Sequence, residues 1–168
     1  RGRAGKTEET IDIEGGGGLK PYIAAKDLKR IAENMIAATG NDPAKAVINK
    51  ATIVFPFEFP EDYKEVDSFW PDYLSPTCRI VTDTTTIFSS LSDSSSSDEN
   101  QGDINRSLCH YAPDITYHMQ QILNIKEDDP NARSTKQFNK GMYDVWFLIM
   151  SKEVTVQRQQ TNSDLSEY

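Results

Sequence analysis

The chain has 168 residues, a formal net charge of −8 at pH 7 and a hydrophobic fraction of 37%. That length suits one domain with one core, and the negative charge argues against general coating of nucleic acid or of anionic membranes unless basic residues are gathered locally. The sequence has no apolar run near the roughly 20 residues that cross a bilayer, so it predicts no membrane partner.

Residues 1–18 are predicted to form a flexible arm. Ile11 and Ile13 are its sizeable apolar residues, and four glycines close it at positions 15–18. Glycine loses more backbone entropy on ordering than any other residue, so such a stretch orders poorly. The glycines suit either a natural hinge or an engineered linker. Residues 19–157 are predicted to be one mainly helical domain, and residues 158–168 a polar tail.

The first half of this domain predicts two helices. Four apolar residues recur with the period of one helix face: Ala24, Leu28, Ile31 and Met35. Pro21 suits a first helical turn and Gly40 suits the position after the last, which predicts a helix over residues 21–39. Asp42 can cap a shorter second helix that begins at Pro43 and ends near residue 51.

The middle of the chain contains sequence patterns that favour different secondary structures. Residues 53–76 carry four prolines among many aromatic residues, so we expect an extended segment that its rings fix across the domain. Residues 77–91 combine β-branched threonines, which favour a strand, with apolar residues at helical spacing. We favour a helix over residues 77–91; a strand there is the alternative, and it would make the fold α+β.

A mobile acidic and serine-rich loop is predicted at residues 92–103. Three serines near it have an acidic residue three positions later, a pattern that acid-directed kinases favour: Ser90, Ser95 and Ser96. Each phosphate would add a charge of about −1.5 to −2. These serines are therefore candidate phosphorylation sites, and the alternative is a loop that is only solvated.

The second half predicts two further helices. Apolar residues recur at helical spacing between Ile115 and Leu123, which predicts a helix over residues 113–124. Ser134 and Gln137 form a capping-box pattern ahead of a long periodic stretch. Apolar residues surround this last helix almost completely, as in a helix at the centre of a core or of a subunit interface. The main candidates for that role are Trp146, Met142 and Ile149. The predicted fold is mainly α, an irregular bundle of four or five helices.

Two groups of basic residues are candidate contacts for nucleic-acid phosphates. They are Lys26, Lys29 and Arg30, followed by Arg133, Lys136 and Lys140. The first group lies opposite the apolar face of the first helix, where it can track a single-stranded backbone. The second lies at the start of the predicted last helix, where the helix dipole also favours an anion. The alternative for the second group is ion pairing with the acidic residues at 127–129.

The sequence carries no clear catalytic, cofactor or metal motif. Cys109 and His110, with Asp114 and His118 nearby, offer a nucleophile, a base and an orienting carboxylate, but adjacent residues on a helix point apart. Catalytic pairs normally join residues from distant elements that converge. Cys78 and Cys109 lack the paired spacing of a zinc site or a redox motif. We therefore predict no cofactor, no bound metal and free thiols in a reducing compartment, cytoplasmic or nuclear, or in a virion.

These features predict a non-enzymatic assembly or interaction subunit that forms a homo-oligomer or binds a protein partner. Its most concrete form is a coat-like or nucleocapsid-like protein that contacts the phosphates of single-stranded RNA through its basic residues. The first alternative is an adaptor that phosphorylation of the acidic loop regulates. A third hypothesis is a small enzyme that uses Cys109 or His118, although no small-molecule substrate is evident.

Overall fold

The computed structural model describes residues 10–58, 70–95 and 101–150. Within these ranges the chain forms three α-helices and seven strands. The helices are α1 (Ala25–Ala38), α2 (Thr116–Leu123) and α3 (Arg133–Asn139). The strands are β1 (Tyr22–Ile23), β2 (Phe55–Pro56), β3 (Tyr73–Val81), β4 (Thr86–Ser90), β5 (Ile104–Asn105), β6 (His110–Tyr111) and β7 (Val145–Met150). They form two antiparallel sheets with the orders β1-β7-β3-β4 and β2-β6-β5.

The prediction of a mainly α bundle of four or five helices is wrong. The apolar stretch that was expected to continue the last helix is instead the strand β7, which pairs along β3 from Tyr73 opposite Met150 to Cys78 opposite Val145. A short run that is apolar on every side fits a buried strand as well as a buried helix, so its periodicity cannot separate the two. The helix α3 stops at Asn139, and Gly141 follows with a φ of 73°, which favours glycine and turns the chain into β7.

The favoured helix at residues 77–91 is also wrong, and the strand alternative is confirmed. This segment forms the hairpin of β3 and β4, which pair from Thr77 opposite Ser90 to Val81 opposite Thr86. In the turn between them, the backbone N–H of Thr82 donates to the carbonyl of Thr85 at 2.8 Å. The β-branched residues therefore decided the local structure once β3 had a partner on each side.

Two predicted helices are confirmed at their centres. The helix expected at residues 21–39 is α1, and the one expected at 113–124 is α2. The second predicted helix, from residue 43 to about 51, is reduced to the 3-10 turn Pro43–Lys45, where the carboxylate of Asp42 accepts from the N–H of Ala44 at 3.0 Å. Its cap was correctly placed, but no second turn follows.

The main core lies between α1 and α2 and one face of the four-stranded sheet. Ile122 of α2 and Phe147 of β7 are fully buried in it, and Phe138 of α3 closes one end. The small sheet joins this core through Phe55, whose ring meets that of Phe147 edge-on at 4.6 Å. This arrangement covers one face of the large sheet with helices.

The helix α1 does not turn its whole predicted apolar face to the core. Ala25 and Leu28 are buried, whereas Ile31 and Met35 are 51% and 68% exposed. Lys29 takes a buried place beside Leu28; its ammonium group donates to the carbonyl of Ile125 and lies 3.1 Å from the carboxylate of Glu127. The helix is thus rotated so that a paired cation, rather than the next apolar residue, enters the interior.

Candidate interaction surface on the sheet edge

The strand β4 lies at one edge of the four-stranded sheet. It pairs with β3 on one side, and no other described strand lies against its second side. The opposite edge of the sheet is β1, which has only two residues. The described part of the sheet therefore has one long edge and one very short edge.

The register of the hairpin shows which backbone groups of β4 face outward. The N–H of Leu91 donates to the carbonyl of Pro76, and the N–H of Thr82 donates to the carbonyl of Thr85. Both hydrogen bonds fit the register in which Ile80 lies opposite Ile87. In an antiparallel pair the bonded residues alternate, so Ile87 and Ser89 bond to β3. The N–H and C=O groups of the remaining three residues point to the free edge: Thr86, Phe88 and Ser90.

This edge lacks the features that usually protect an exposed strand. The sequence of β4, Thr86–Ser90, contains no charged residue and no proline. Ile87 is 49% exposed, and Val81 at the end of β3 is 57% exposed. Natural edge strands are normally blunted by lysine, proline or a bulge, because unpaired backbone groups accept another strand. Among the described residues, no such feature protects the outward backbone groups of β4.

A ladder of rings lies on the sheet face that bears Phe88. Tyr22 stacks on Trp146 with ring centroids 4.5 Å apart, and Phe88 meets Trp146 edge-on at 5.8 Å. The guanidinium of Arg79 lies 5.0 Å from the centroid of the same indole. Trp146 is thus enclosed by its neighbours on the sheet, and the ladder holds Phe88 in a fixed position at the edge.

The other two residues predicted for a core or an interface lie apart from this edge. Ile149 is partly buried and packs against the main core. Met142 lies in the turn before β7 and lines a cleft of about 210 Å³ on the helix-covered side of the sheet. That volume is below the roughly 300 Å³ at which small-molecule sites begin.

Cys78 and His118 meet in this cleft, with the sulfur 3.9 Å from the imidazole Nε2. The same Nε2 lies 2.9 Å from the carbonyl oxygen of Tyr143, so it carries a proton and donates to that oxygen. Burial, together with the nearby charge of Asp144, raises the pKa of the Cys78 thiol to about 12. Burial also lowers the pKa of His118. The pair is a neutral thiol beside a neutral imidazole, whose nearer nitrogen cannot accept the thiol proton.

Cys109, the other catalytic candidate, does not line this cleft. It lies in the turn between β5 and β6 with a φ of 51°, and its thiol points to the carbonyl of Arg106 at 3.6 Å. Among the described residues, no group of three histidine, cysteine or carboxylate side chains is placed to hold a metal ion. The structure brings together Cys78 and His118, whereas the sequence had suggested Cys109 or His118 as a catalytic residue and gave Cys78 no such role.

The basic residues of α1 lie in two environments. Lys26 and Arg30 are exposed, and Arg30 forms an ion pair with Asp27 at 2.8 Å. Lys29 is buried and paired with Glu127, and its ammonium group lies 5.7 Å from the centroid of the Phe138 ring. Lys29 therefore stabilises the packing of α1 and is not placed to contact a phosphate.

The basic residues of α3 do not gather at the start of a long helix. The helix has seven residues, so Arg133 opens it, Lys136 lies in its last turn and Lys140 follows its end. All three side chains are exposed, and none of them forms an ion pair with another described residue. The dipole argument for an anion site loses its basis, because the cations are spread over the whole helix.

The start of the serine-rich loop is built into the fold. Residues Ser92–Ser95 form a 3-10 turn, and the buried carboxylate of Asp93 accepts from the N–H groups of Tyr117 and His118 at 2.6 and 3.0 Å. Asp93 therefore caps α2 from a distant part of the chain. Sequence reasoning missed this role, and an aspartate within a serine-rich run gives no local sign of it.

This cap bears on the candidate phosphorylation sites. Ser90 is exposed in β4, but Asp93, the acidic residue that drew attention to it, is buried and fully engaged. The backbone of Ser95 ends the 3-10 turn, and Ser96 lies outside the described residues. The residues at 1–9 and 151–168, which include much of the predicted arm and the polar tail, also lie outside them.

Part of the predicted arm does lie within the described residues. Ile13 is partly buried against the core, and the glycines at 15–18 form a turn in which the N–H of Glu14 donates to the carbonyl of Leu19 at 3.0 Å. Lys20 also reaches back to the carbonyl of Gly16 at 2.8 Å. This contact ties the end of the arm to the entry of β1.

Comparison with protein-family models, with curated proteins and with solved structures finds no match for this chain. Among the described residues, no helix is long and apolar enough to span a membrane. The functional argument rests on the chemistry and geometry of the chain itself.

Proposed function

We propose that this protein is a non-enzymatic assembly subunit that self-associates by adding a strand to the free edge of β4. The observation that carries the proposal is the outward set of backbone groups on an uncharged five-residue strand, Thr86–Ser90. Strand addition uses main-chain hydrogen bonds for affinity and neighbouring side chains for specificity. Both are present at this edge, since Ile87 offers exposed apolar surface beside the unpaired backbone.

The energetics favour reversible association. Each backbone hydrogen bond contributes a net stabilisation of about 0.5–1.5 kcal/mol, and ordering two molecules costs about 4–15 kcal/mol. A five-residue strand can offset that cost only with help from its side chains, so we expect a dissociation constant on the order of micromolar or weaker. The subunit would respond to its own concentration, as an assembly component should.

The cleft offers weaker support for an enzyme. Its thiol is held neutral by burial, and the Nε2 proton of His118 already serves the carbonyl of Tyr143. Activation of a cysteine nucleophile needs a nearby base or a lowered thiol pKa, and Cys78 has the opposite shift. The contact is better explained as packing between β3 and α2.

Sedimentation velocity of the full chain over a wide concentration range tests the proposal. We expect a reversible shift to a larger species, which the variant Ser90→Pro should weaken about tenfold, since it removes an outward N–H without touching the bonds to β3. The matched variant Ser90→Ala keeps that N–H and should associate like the original chain. A chain that stays monomeric at every concentration would contradict the proposal, and equal association of the proline variant would place the contact elsewhere.

A further inference from the structure

We infer that two copies pair β4 against β4 in antiparallel fashion, with a two-fold axis beside Phe88. This inference rests on the proposed function and adds the partner, the register and the symmetry. The partner is a second copy of this chain, because the edge is complementary to itself. The reasons lie in the positions of the outward groups and in the side chains that flank them.

The outward groups are symmetric about the middle of the strand. The residues that face the free edge are Thr86, Phe88 and Ser90, and Phe88 is the centre of the five-residue strand. An antiparallel copy that places Phe88 opposite Phe88 also places Thr86 opposite Ser90 on both sides. All three outward positions then meet outward positions, and about six backbone hydrogen bonds can form. A shift of one residue would bring outward groups against groups already bonded to β3.

The side chains suit the same register. Residues directly opposite each other share a face, so the two Phe88 rings meet on the face that carries the aromatic ladder. On the other face Ile87 lies diagonal to Ile87 of the second copy, a spacing of roughly 7–8 Å that long side chains can bridge. Ile87 is 49% exposed in the single chain, and this contact would cover it. Thr86 opposite Ser90 places two hydroxyl groups together, and no charged side chain enters the pairing.

A head-to-tail arrangement fits less well. It would join β4 to the opposite edge, but β1 has only Tyr22 and Ile23, so fewer than half of the β4 residues would find partners. Such a contact also leaves an open edge on each end and produces filaments rather than a closed dimer. The two-fold pairing uses the whole strand and closes, and it would join the two sheets into one continuous sheet with both aromatic ladders on one side.

Cysteine cross-linking of the full chain tests the register. The background carries Cys78→Ala and Cys109→Ser, and circular dichroism checks that each variant is folded. We expect Phe88→Cys to form a disulfide with its own copy under mild oxidation, because residues opposite each other in a strand pair lie within disulfide reach. Thr86→Cys and Ser90→Cys should each cross-link poorly alone and efficiently when the two variants are mixed.

The outcomes separate the register from the proposed function. A folded chain that self-associates in sedimentation but cross-links at Thr86→Cys alone, or at no tested position, would overturn the two-fold register and leave assembly standing. A chain that neither sediments as a larger species nor cross-links would overturn both. If Cys78→Ala reduces folding, the same set is repeated with Cys78 retained, since its partly buried thiol has a raised pKa and reacts slowly while the chain is folded.

Discussion

The helix-covered face of the large sheet and the free edge of the same sheet treat polar groups in opposite ways. Under the helices, two buried charged groups have partners: Asp93 accepts from two amides of α2, and Lys29 bonds to Ile125 and pairs with Glu127. At the edge, the outward groups of β4 have no strand beside them among the described residues. The comparison indicates that the helix-covered face stabilises the fold, whereas the edge of β4 contributes backbone groups that no other described strand pairs with.

The largest expected loss of stability comes from removing a large side chain from the core beneath the helix-covered face of the sheet. Phe147→Ala removes a fully buried ring from the centre of the core and should lower the free energy of unfolding by about 3–5 kcal/mol. Urea denaturation at low protein concentration measures this loss. Phe88→Ala is the matched variant, because its ring lies at the edge; it should cost much less stability and should weaken self-association. Equal stability losses for the two variants would contradict the separation of the two regions.

Removing the distant cap of α2 should give the next largest effect. Asp93→Ala leaves the N–H groups of Tyr117 and His118 without their acceptor, at a cost of about 1–3 kcal/mol. Asp93→Asn retains one acceptor oxygen and should recover part of this loss. Asp83→Ala, at an exposed aspartate of the hairpin turn, is the control and should change stability little. A loss for Asp83→Ala equal to that for Asp93→Ala would show that the cap is unimportant.

The stability of the covered face should also depend on pH through His118. Burial keeps its pKa below the ordinary value of 6.5, so the unfolded chain binds the proton first as the pH falls. The subunit should therefore lose stability below pH 6.5, by at most about 1.4 kcal/mol per pH unit from this residue.

The control for this pH step is His118→Gln, in which the loss between pH 6.5 and 5 should be reduced. The carboxylate of Asp114 affects stability in a lower pH range. Burial would raise its pKa, but hydrogen bonds from Lys50 and Thr116 outweigh burial and lower it, so its stabilisation is lost only below about pH 3.8. If the loss of stability between pH 6.5 and 5 is unchanged in His118→Gln, a group other than His118 produces that loss.

The smallest expected effect is the response of self-association to salt. Each copy carries a net charge of −8, so two copies repel each other, and screening should strengthen their association by a few-fold between low and physiological ionic strength. Nucleic-acid binding through Lys26, Arg30 and the basic residues of α3 would weaken with salt. Sedimentation with and without single-stranded RNA distinguishes the two, and association that falls as salt rises would contradict the uncharged edge.

Local patterns predicted the two helices that pack on the sheet. The period of Leu28 with Ala24, the position of Gly40, and the run from Ile115 to Leu123 all encode structure within a few residues of the chain. Pro21 did not mark the helix start, because the strand β1 follows it and α1 begins at Ala25. Helical periodicity could not predict the rotation of α1, because the choice between Ile31 and Lys29 depends on the carbonyl of Ile125 and on Glu127, about a hundred residues away in sequence.

Most features of the candidate site could not be predicted from the sequence. The strand content of residues 77–91 was visible in their threonines, but the position of β4 at an edge follows only from the pairing of β3 with β7. The contact between Cys78 and His118 joins a strand to a helix 40 residues further along the chain. Composition could show that Thr86–Ser90 lacks charge, yet it could not show which of its backbone groups face outward.

The amino-acid sequence by itself determined the centres of α1 and α2, the absence of charge in β4 and the net charge that opposes close approach of two copies. Tertiary structure decided that the apolar run at 145–150 is a strand, that Asp93 caps α2 and that β4 is left at the edge. The physical reason is the range of the interactions. Helical hydrogen bonds join residues four apart, whereas strand pairs and distant caps gain their stability only when the rest of the chain has brought their partners into place.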